Sequence, residues 1–279
     1  MKLRFVTILL LVFLISIILN SPVFSESSEI ELPAEIEKMF SKDKITVGIY
    51  SGERPPFFME NEEGELYGLD IELAQGIADE LGLSLEINRE ADSYQELYEM
   101  LVNEEFDLVI SKFSRTFSRS KAINYSIPYA SFRWSLMLNS SYAAQKGITE
   151  YPMHHLKQAS DIKVGVMAGT SWENFAEDLF AKAEIVGYDD WQQVLAALRR
   201  KEIIAALYDE NEVIKSIYKD PDIALFSTVY ILEDKKDDIA LAVPASSSHF
   251  LSWLNFYLED YDISYTVNEL RDKFPEVYK

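Results

Sequence analysis

Cysteine is absent from the 279-residue sequence, and histidine occurs only three times. Without cysteine the chain has no disulfide, no thiolate metal site and no lipid-modified cysteine. The histidines, His154, His155 and His249, do not have the spacing of metal ligands. Nucleophile-elbow, phosphate-loop and dinucleotide motifs are also missing from the sequence. We therefore predict no metal, no cofactor and no standard catalytic motif.

Basic residues are scarce as well. The chain has 26 lysines and arginines against 47 aspartates and glutamates, a formal net charge of −21. A field of this sign repels nucleic acid and anionic lipid, so we expect neither as a partner. The acidity also has a plainer interpretation, which is solubility.

Long apolar runs are confined to the start of the chain. A basic tetrapeptide, residues 1–4, precedes the apolar stretch 5–19 and a polar region at 20–25. This is the layout of a secretory signal peptide, and its apolar core is shorter than the about 20 residues of a membrane-spanning helix. We predict a signal peptide at 1–25, cleaved after Ser25, and a periplasmic mature protein. A retained membrane anchor is the alternative.

After an acidic lead-in at 26–43, apolar runs of strand length alternate with helical periodicity. Such alternation is typical of an α/β fold with a mostly parallel sheet. In the first half, Asp70 is predicted to cap a helix that Gly82 ends, and Ser93 to open a second helix. The predicted strands of this half are 45–49, 83–87 and 107–110.

The same pattern restarts in the second half of the chain. Helices are predicted from Ser171, from Asp189 or Asp190, and over 211–218. Residues 133–138 lead into this half, and 239–243 form a strand that leads back to the first. The predicted strands between them are 163–167, 185–186, 203–207 and 223–226.

Polar side chains follow several of these strands, where open α/β sheets bind their ligands. They supply hydroxyls, one well-placed arginine, a helix N-terminus and a carboxylate. The segments are 50–57, 111–119, 168–171 and Asp209.

These segments also carry a family resemblance. The matching stretches, in order, are Pro55–Phe57, Gly68–Ala74, Phe106–Ser111, Arg119–Lys121, Tyr125–Tyr129, Val164–Thr170 and Asp209. With them the chain resembles the family 3 extracellular solute-binding proteins, which serve amino-acid uptake transporters of the ATP-binding cassette (ABC) type. The resemblance implies two doubly wound lobes joined by a two-strand hinge, the type II periplasmic-binding-protein fold. Lobe 1 would comprise 44–134 and 243–279, and lobe 2 with the hinge strands 135–242.

The resemblance assigns lobe 1 residues to the ligand. Arg119 matches the arginine that binds the ligand's α-carboxylate, and a planar guanidinium suits that role because it donates two parallel hydrogen bonds. A surface arginine is the alternative. Ser111 and Ser114 match positions that offer hydroxyl or backbone contacts, although either serine would also serve to cap the following turn.

Lobe 2 supplies the other end of the implied site. Thr170 and Ser171 open a helix, whose free N–H groups and dipole favour a carboxylate. Ser171 would also serve as a plain helix cap. Asp209 matches the family's acceptor for the ligand's α-ammonium group, and a solvated aspartate in an acidic region is the alternative.

Two positions depart from the family pattern and concern specificity. Arg54 replaces a residue that is commonly aromatic, so Tyr50 or Phe57 would have to supply the ring. Lys112 replaces a residue that is often small. Two added cations favour a ligand with a second carboxylate. If both point to solvent instead, Tyr50, Phe57 or Phe113 would shape an apolar pocket.

The implied function is capture of an amino acid or similar polar solute by a monomer that delivers it to an ABC-type membrane permease. Hinge closure over the ligand would be the mechanism. Two alternatives stay open from the sequence. One is a dehydratase-like enzyme on the same scaffold, which would need a general acid or base in the cleft. The other is a ligand-sensing component.

Overall fold

The computed structural model describes residues 31–150 and 152–279. The predicted signal peptide therefore lies outside the described residues, as does the first part of the acidic lead-in. Pro33–Lys279 form one unit. Within the described ranges, no helix combines the length and the apolar character needed to cross a membrane.

The first half of the chain builds most of one lobe. A helix within the lead-in, which the sequence analysis did not predict, packs Ile36 and Met39 into the core of this lobe. Strand β1 pairs in parallel with both β4 and β5. The elements are α1 (Ala34–Lys42), β1 (Lys44–Gly48), β2 (Met59–Glu60), β3 (Leu66–Tyr67), α2 (Leu69–Leu81), β4 (Ser84–Asn88), α3 (Tyr94–Val102), β5 (Leu108–Val109) and a 3-10 turn (Arg119–Lys121).

Two long antiparallel strands connect the lobes. β6 (Ile123–Asn139) and β10 (Ser227–Pro244) pair from Ser227 opposite Asn139 to Pro244 opposite Ile123, with register shifts between. The predicted leading segment 133–138 and return strand 239–243 lie within these strands. With β7 (Lys163–Met167), β8 (Glu184–Tyr188) and β9 (Ala205–Asp209) of the second lobe, all strands except β2 and β3 form one sheet of order β4-β1-β5-β10-β6-β9-β7-β8. The fold is thus the predicted α/β architecture of two lobes joined by two hinge strands.

The second lobe lies between the hinge strands in the sequence, and β7 pairs in parallel with β8 and β9. After β10 the chain returns to the first lobe. The elements are α4 (Ser140–Gln145), α5 (Pro152–Gln158), β7 (Lys163–Met167), α6 (Ser171–Leu179), β8 (Glu184–Tyr188), α7 (Trp191–Arg199), β9 (Ala205–Asp209), α8 (Glu210–Lys219), α9 (Ile223–Phe226), and then α10 (Ser248–Asp260), α11 (Val267–Lys273) and a 3-10 turn (Pro275–Tyr278).

Each lobe has its own apolar core. One core draws on residues 36–132 and 239–278, and the other on residues 134–223. A smaller cluster around Phe106 and Phe113 packs beneath α3 and β5. The cores follow the predicted division of the chain, and the predicted lobe boundaries at 134/135 and 242/243 stay predictions.

Three local predictions were wrong. Gly68, not Asp70, is the N-cap of α2, and Asp70 lies buried in its first turn. Residues 223–226 form a helical turn rather than a strand, because a four-residue apolar run has the same pattern in both structures. The strand predicted at 203–207 lies at Ala205–Asp209, so Asp209 is the last residue of β9 and also the N-cap of α8. Asp190, rather than Asp189, caps α7.

Gly68 fixes where α2 begins. Its φ is 123°, and a Cβ there would lie 2.5 Å from the carbonyl oxygen of Phe57. The same carbonyl accepts the N–H of Asp70 at 2.8 Å, so the helix start docks against the loop that follows β1. A side chain at this position would separate the two segments.

Gly68→Ala should therefore lower the free energy of unfolding by roughly 2–4 kcal/mol, since backbone strain and a backbone clash add. Gly64→Ala is the matched control. Its φ of +80° carries strain too, but nothing lies within 4 Å of the added Cβ, so a loss of only about 1 kcal/mol is expected. Urea unfolding of both variants measures the difference. Equal losses would contradict the docking role of Gly68.

Candidate ligand-binding site

A cavity lies between the lobes and against the second hinge strand. The space between its walls is about 310 Å³, part of which is open to solvent. Lobe 1 contributes residues from α3 and from the segment after β5, lobe 2 contributes the start of α6 and the end of β9, and β10 contributes one carboxylate. The lining residues are Tyr94, Lys112, Ser114, Arg119, Thr170, Ser171, Trp172, Tyr208 and Asp237.

Lys112 is held in the cavity wall by its own backbone. Its φ of 46° lies in the left-handed region, which is uncommon for a residue with a side chain. The buried carboxylate of Asp70 stabilises this turn, because Oδ2 accepts the Lys112 N–H at 2.7 Å. Asp70 Oδ1 accepts the hydroxyl of Tyr129 at 2.8 Å. The first turn of α2 thus sets the direction in which the Lys112 side chain leaves lobe 1.

The Lys112 ammonium crosses to lobe 2 and bonds Asp209. Nζ lies 2.8 Å from Asp209 Oδ2 and 3.2 Å from Glu212 Oε1, and both Lys112 and Asp209 are almost fully buried. Burial lowers the pKa of Lys112, but the charges of Asp209 and Glu212 outweigh it and hold that pKa well above its usual value. A second lysine, Lys215, lies 2.6 Å from Glu212 Oε1 and also donates to the carbonyl of Pro55. These contacts join the lobes through charge-assisted hydrogen bonds.

Asp209, the sequence-predicted ammonium acceptor, has both of its oxygens occupied by the chain. Oδ2 accepts from Lys112, and Oδ1 accepts the Glu212 N–H at 2.9 Å as the cap of α8. Lys112 and Asp209 are therefore brought together at the site, but as partners of each other.

Arg119 lies at the edge of the cavity, on the 3-10 turn after β5. Its guanidinium carbon is 4.4 Å from the centre of the Phe113 ring, a cation–π contact that orients it. In residues 31–150 and 152–279, no carboxylate pairs with this guanidinium. A second cavity shares Arg119, Thr170 and Ser171 with the first. The guanidinium lies beside the Tyr125 side chain and, having no anionic partner among the described residues, can bind an anion in the cleft.

The start of α6 faces Arg119 from lobe 2. Thr170 is the N-cap, and its hydroxyl accepts the Trp172 N–H at 3.2 Å and donates to the Met167 carbonyl at 2.8 Å. The Thr170 hydroxyl is therefore used within the chain. Ser171 is buried, and its Oγ donates to Ser114 Oγ across the cleft at 3.0 Å. The first turn of α6, in which the Trp172 N–H is bonded to Thr170, directs the positive end of the helix dipole toward the cavity.

Ser114 links the helix start to the hinge. Its Oγ also donates to Asp237 Oδ2 at 3.1 Å. Asp237 is 2% exposed, and its Oδ1 finds no hydrogen-bond partner in the part of the chain that the structure describes. Burial raises the pKa of Asp237 to about 7, and the charge of nearby Asp209 acts in the same direction. Asp237 is thus a buried acceptor at the cavity that lacks a donor.

Two sequence-predicted residues from the segment after β5 do not line the cavity. Ser111 is fully buried, and its Oγ accepts the Tyr50 N–H at 3.0 Å, which joins two strand ends within lobe 1. Phe113 is also fully buried and serves as the surface on which Arg119 lies.

Arg54 and Tyr50 lie together beside the cavity rather than in its lining. The Tyr50 ring stacks on Tyr94 with 5.1 Å between ring centres, and the Arg54 guanidinium carbon is 4.7 Å from the Tyr50 ring centre. Phe57 is fully buried, 5.5 Å from Lys112 Nζ. Lys112 is paired with carboxylates of the chain, and Arg54 packs on aromatic rings, so neither side chain offers an unpaired positive charge to a ligand in the cavity. The predicted preference for an acidic ligand stays a prediction.

The sequence analysis missed Asp237 and the aromatic walls. Asp237 belongs to the charged run Glu233–Asp238, which has the composition of a solvated turn. Only its place on β10, opposite Phe132, turns the side chain inward. Tyr94, Trp172 and Tyr208 are ordinary core aromatics by pattern, although Trp172 follows the predicted anion-binding turn.

Comparison with known families gives one match over most of the chain. The profile of the bacterial extracellular solute-binding proteins, family 3, matches residues 45–276. Among characterised relatives, the L-cystine-binding protein TcyJ of Escherichia coli (strain K12) is 25% identical over 187 residues. That alignment covers 67% of this chain and 66% of the relative, slightly under two thirds of its length.

Solved structures share the fold. An amino acid ABC transporter substrate-binding protein, AbpA from Streptococcus pneumoniae, bound to L-arginine, matches with a TM-score of 0.66 and 24% identity, covering 87% of this chain and 97% of that one. The ancestral amino acid-binding protein AncCDT-1, a precursor of cyclohexadienyl dehydratase, matches with a TM-score of 0.67 and 22% identity, covering 85% and 98%. At these identities the likeness shows the fold alone.

Lys112→Met should destabilise the protein, because it leaves the buried Asp209 carboxylate without its cation. We expect a loss of about 3–5 kcal/mol in the free energy of unfolding at pH 7, as for other broken buried ion pairs. Lys219→Met on the exposed end of α8 removes the same charge and should change stability by less than about 0.5 kcal/mol. Urea unfolding compares the two. If both variants lost equally little free energy of unfolding, the Lys112–Asp209 pair would contribute little to the stability of the contact between the lobes.

Proposed function

We propose, since the chain belongs to the bacterial extracellular solute-binding proteins of family 3, that it captures an amino acid or a similar small polar solute between its lobes. The observation that carries this proposal is the polar cavity itself. A free guanidinium, Arg119, faces the N-terminus of α6, and a buried carboxylate, Asp237, lies on the hinge strand. Such a cavity offers binding groups for both charges of an amino acid.

Arg119 would bind the carboxylate of the solute together with the first turn of α6. A guanidinium and backbone N–H groups both prefer an anion, and here they approach it from opposite lobes. Ser114 and Ser171 would contribute hydroxyl contacts, and Thr170 backbone contacts only, because its hydroxyl caps the helix. A solute held this way is a bridge that stabilises the closed form of the protein.

Delivery to a membrane permease of the ABC type follows from the same proposal. The S. pneumoniae structure is of an amino acid ABC transporter substrate-binding protein. We extend that role to this chain, as a monomer exported to the periplasm by a cleaved signal at residues 1–25. Calorimetry against the twenty common amino acids tests amino-acid capture, and absence of binding to any of them would refute capture of a common amino acid.

We further propose that the solute is released unchanged. The alternative is an enzyme on the same scaffold, a possibility raised by AncCDT-1, the precursor of a dehydratase. Incubation of the protein with its tightest-binding amino acid, followed by mass spectrometry, separates the two. Recovery of the intact amino acid supports binding alone, and a product that accumulates over many turnovers would support the enzyme.

Arg119→Ala should weaken amino-acid binding by about 2–5 kcal/mol, the cost of leaving a desolvated carboxylate without its partner. Arg115→Ala is the matched control, because Arg115 is an exposed arginine of the same segment that lines a different cavity. It should bind as the unmodified protein does. Calorimetry on both variants decides, and equal affinities would remove Arg119 from the binding site.

Solute binding should also make the particle more compact and more stable to heat. The lobes meet at the cleft and are joined by β6 and β10, so a solute that bridges them favours closure. Small-angle scattering should give a smaller radius of gyration with the bound amino acid, after any co-purified solute has been removed by unfolding and refolding. An unchanged radius together with tight binding would exclude hinge closure.

A further inference from the structure

We propose that Asp237 on the hinge strand β10, rather than Asp209 at the end of β9, accepts the ammonium group of the bound amino acid, and that Lys112 permanently fills the place at Asp209. This inference rests on the proposed function. It assigns the ammonium end of the solute to a residue outside the motifs on which the family resemblance depends.

Each oxygen of Asp209 already accepts a hydrogen bond from the chain. Oδ1 accepts the Glu212 N–H that caps α8, and Oδ2 accepts from Lys112 at 2.8 Å. Asp209 is 0% exposed. A solute ammonium that displaced Lys112 would leave a buried lysine with Glu212 alone, at 3.2 Å. Because removing one partner of a buried ion pair is strongly unfavourable, the exchange would work against binding.

Asp237 presents the opposite situation. It lines the same cavity as Arg119 and Ser171, and only Oδ2 has a donor, Ser114 Oγ at 3.1 Å. Oδ1 is buried with no donor from the described residues. Buried carboxylate oxygens are almost always hydrogen-bonded, so Oδ1 calls for a donor from outside the chain, and the solute that the cavity binds would supply it.

The charges at the cavity fit a zwitterion. Lys112 and Lys215 pair with Asp209 and Glu212, so these four charges satisfy one another. Among the charged residues that line the cavity, Arg119 and Asp237 are then left, one of each sign. An α-amino acid carries the complementary pair of charges.

The spacing fits as well. A single side chain, Ser114, joins the two ends of the site, because its Oγ lies 3.1 Å from Asp237 Oδ2 and 3.0 Å from Ser171 Oγ at the start of α6. The Asp237 carboxylate, at Oδ2, and the Ser171 hydroxyl at the start of α6 are thus at most two hydrogen-bond lengths apart. An α-amino acid, whose two charged groups share one carbon, spans such a gap.

The protonation state of Asp237 gives an independent signature of this contact. Its pKa is raised to about 7 by burial and by the charges of Asp209 and Asp238, against the hydrogen bond from Ser114 and the charge of Lys112. An ammonium beside the carboxyl favours its ionised form. Binding of an amino acid at pH 7 should therefore release part of a proton, and the affinity should rise as the pH is raised through about 7.

The test compares each protein's affinity for two probes by calorimetry. The probes are the L-amino acid that binds most tightly in a panel of the twenty, and the carboxylic acid that differs from it only in lacking the α-amino group. Asp237→Asn should weaken the amino acid at least about tenfold and leave the des-amino acid within about threefold. Asp234→Asn is the matched control at an exposed position of the same strand, and it should change neither affinity. Asp209→Asn should change the ratio of the two affinities much less than Asp237→Asn does, because it acts on Asp237 only through the loss of a nearby charge.

Asp237→Asn should fold, because it replaces an unpaired buried carboxylate by a neutral amide. The folded-state pKa of Asp237 is raised, so its ionised form destabilises the unliganded protein above about pH 7. The variant should therefore melt at the same or a higher temperature than the unmodified protein at pH 8, and this gain should shrink as the pH falls below 7. Calorimetry in two pH 7 buffers of different ionisation enthalpy should show proton release by the unmodified protein and not by Asp237→Asn.

The outcomes separate this inference from the proposed function. If Asp209→Asn abolishes the preference for the amino acid while Asp237→Asn keeps it, Asp209 is the acceptor and the inference is wrong. If the unmodified protein binds the des-amino acid as tightly as the amino acid, no ammonium acceptor operates and the inference is also wrong. If no amino acid of the panel binds at all, the proposed function itself fails.

Discussion

The buried ion pair between Lys112 and Asp209 is the contact on which the arrangement of the cleft depends. It joins the segment after β5 in lobe 1 to the end of β9 in lobe 2, with both side chains almost completely removed from water. Two further groups keep it in place. Asp70 holds the left-handed turn at Lys112, and Glu212 shares its ammonium. The burial of these two charges is tolerated because they are paired. The pair therefore both holds the two lobes next to each other and cancels the charge of Lys112 in the cavity wall.

The chemistry of the rest of the cavity follows from that pair. Once Lys112 and Asp209 neutralise each other, the cleft retains a guanidinium at Arg119, the positive end of α6 and a lone carboxylate at Asp237. The carboxylate is part of β10, one of the two strands that join the lobes. A solute bound to Asp237 would therefore contact both lobes and the hinge. Asp237 would then both recognise the ammonium group of the solute and favour the closed position of the lobes.

Much of the fold could be predicted from the sequence, and the site only in part. Periodicity located β7 and the end of α2 correctly, because these elements have apolar runs or caps of clear pattern. The full length of the hinge strands was missed, and in β10 the reason is that its middle residues, Glu233–Lys236, are charged and exposed. Arg119, Ser114 and the start of α6 were placed at the cavity by motif and strand order. The pairing of Lys112 with Asp209 joins residues about a hundred positions apart, which no local pattern encodes. The inward position of Asp237 depends on strand register and on its contact with the distant Ser114, which no local pattern encodes either.

A crystal structure of the protein with its tightest-binding amino acid tests the central claim most directly. We expect the solute between the lobes, its carboxylate on Arg119 and the first turn of α6, and its ammonium within hydrogen-bond distance of Asp237 Oδ1. The Lys112–Asp209 bond should be intact. An ammonium bound to Asp209, with the Lys112 side chain displaced from the cavity wall, would contradict this arrangement.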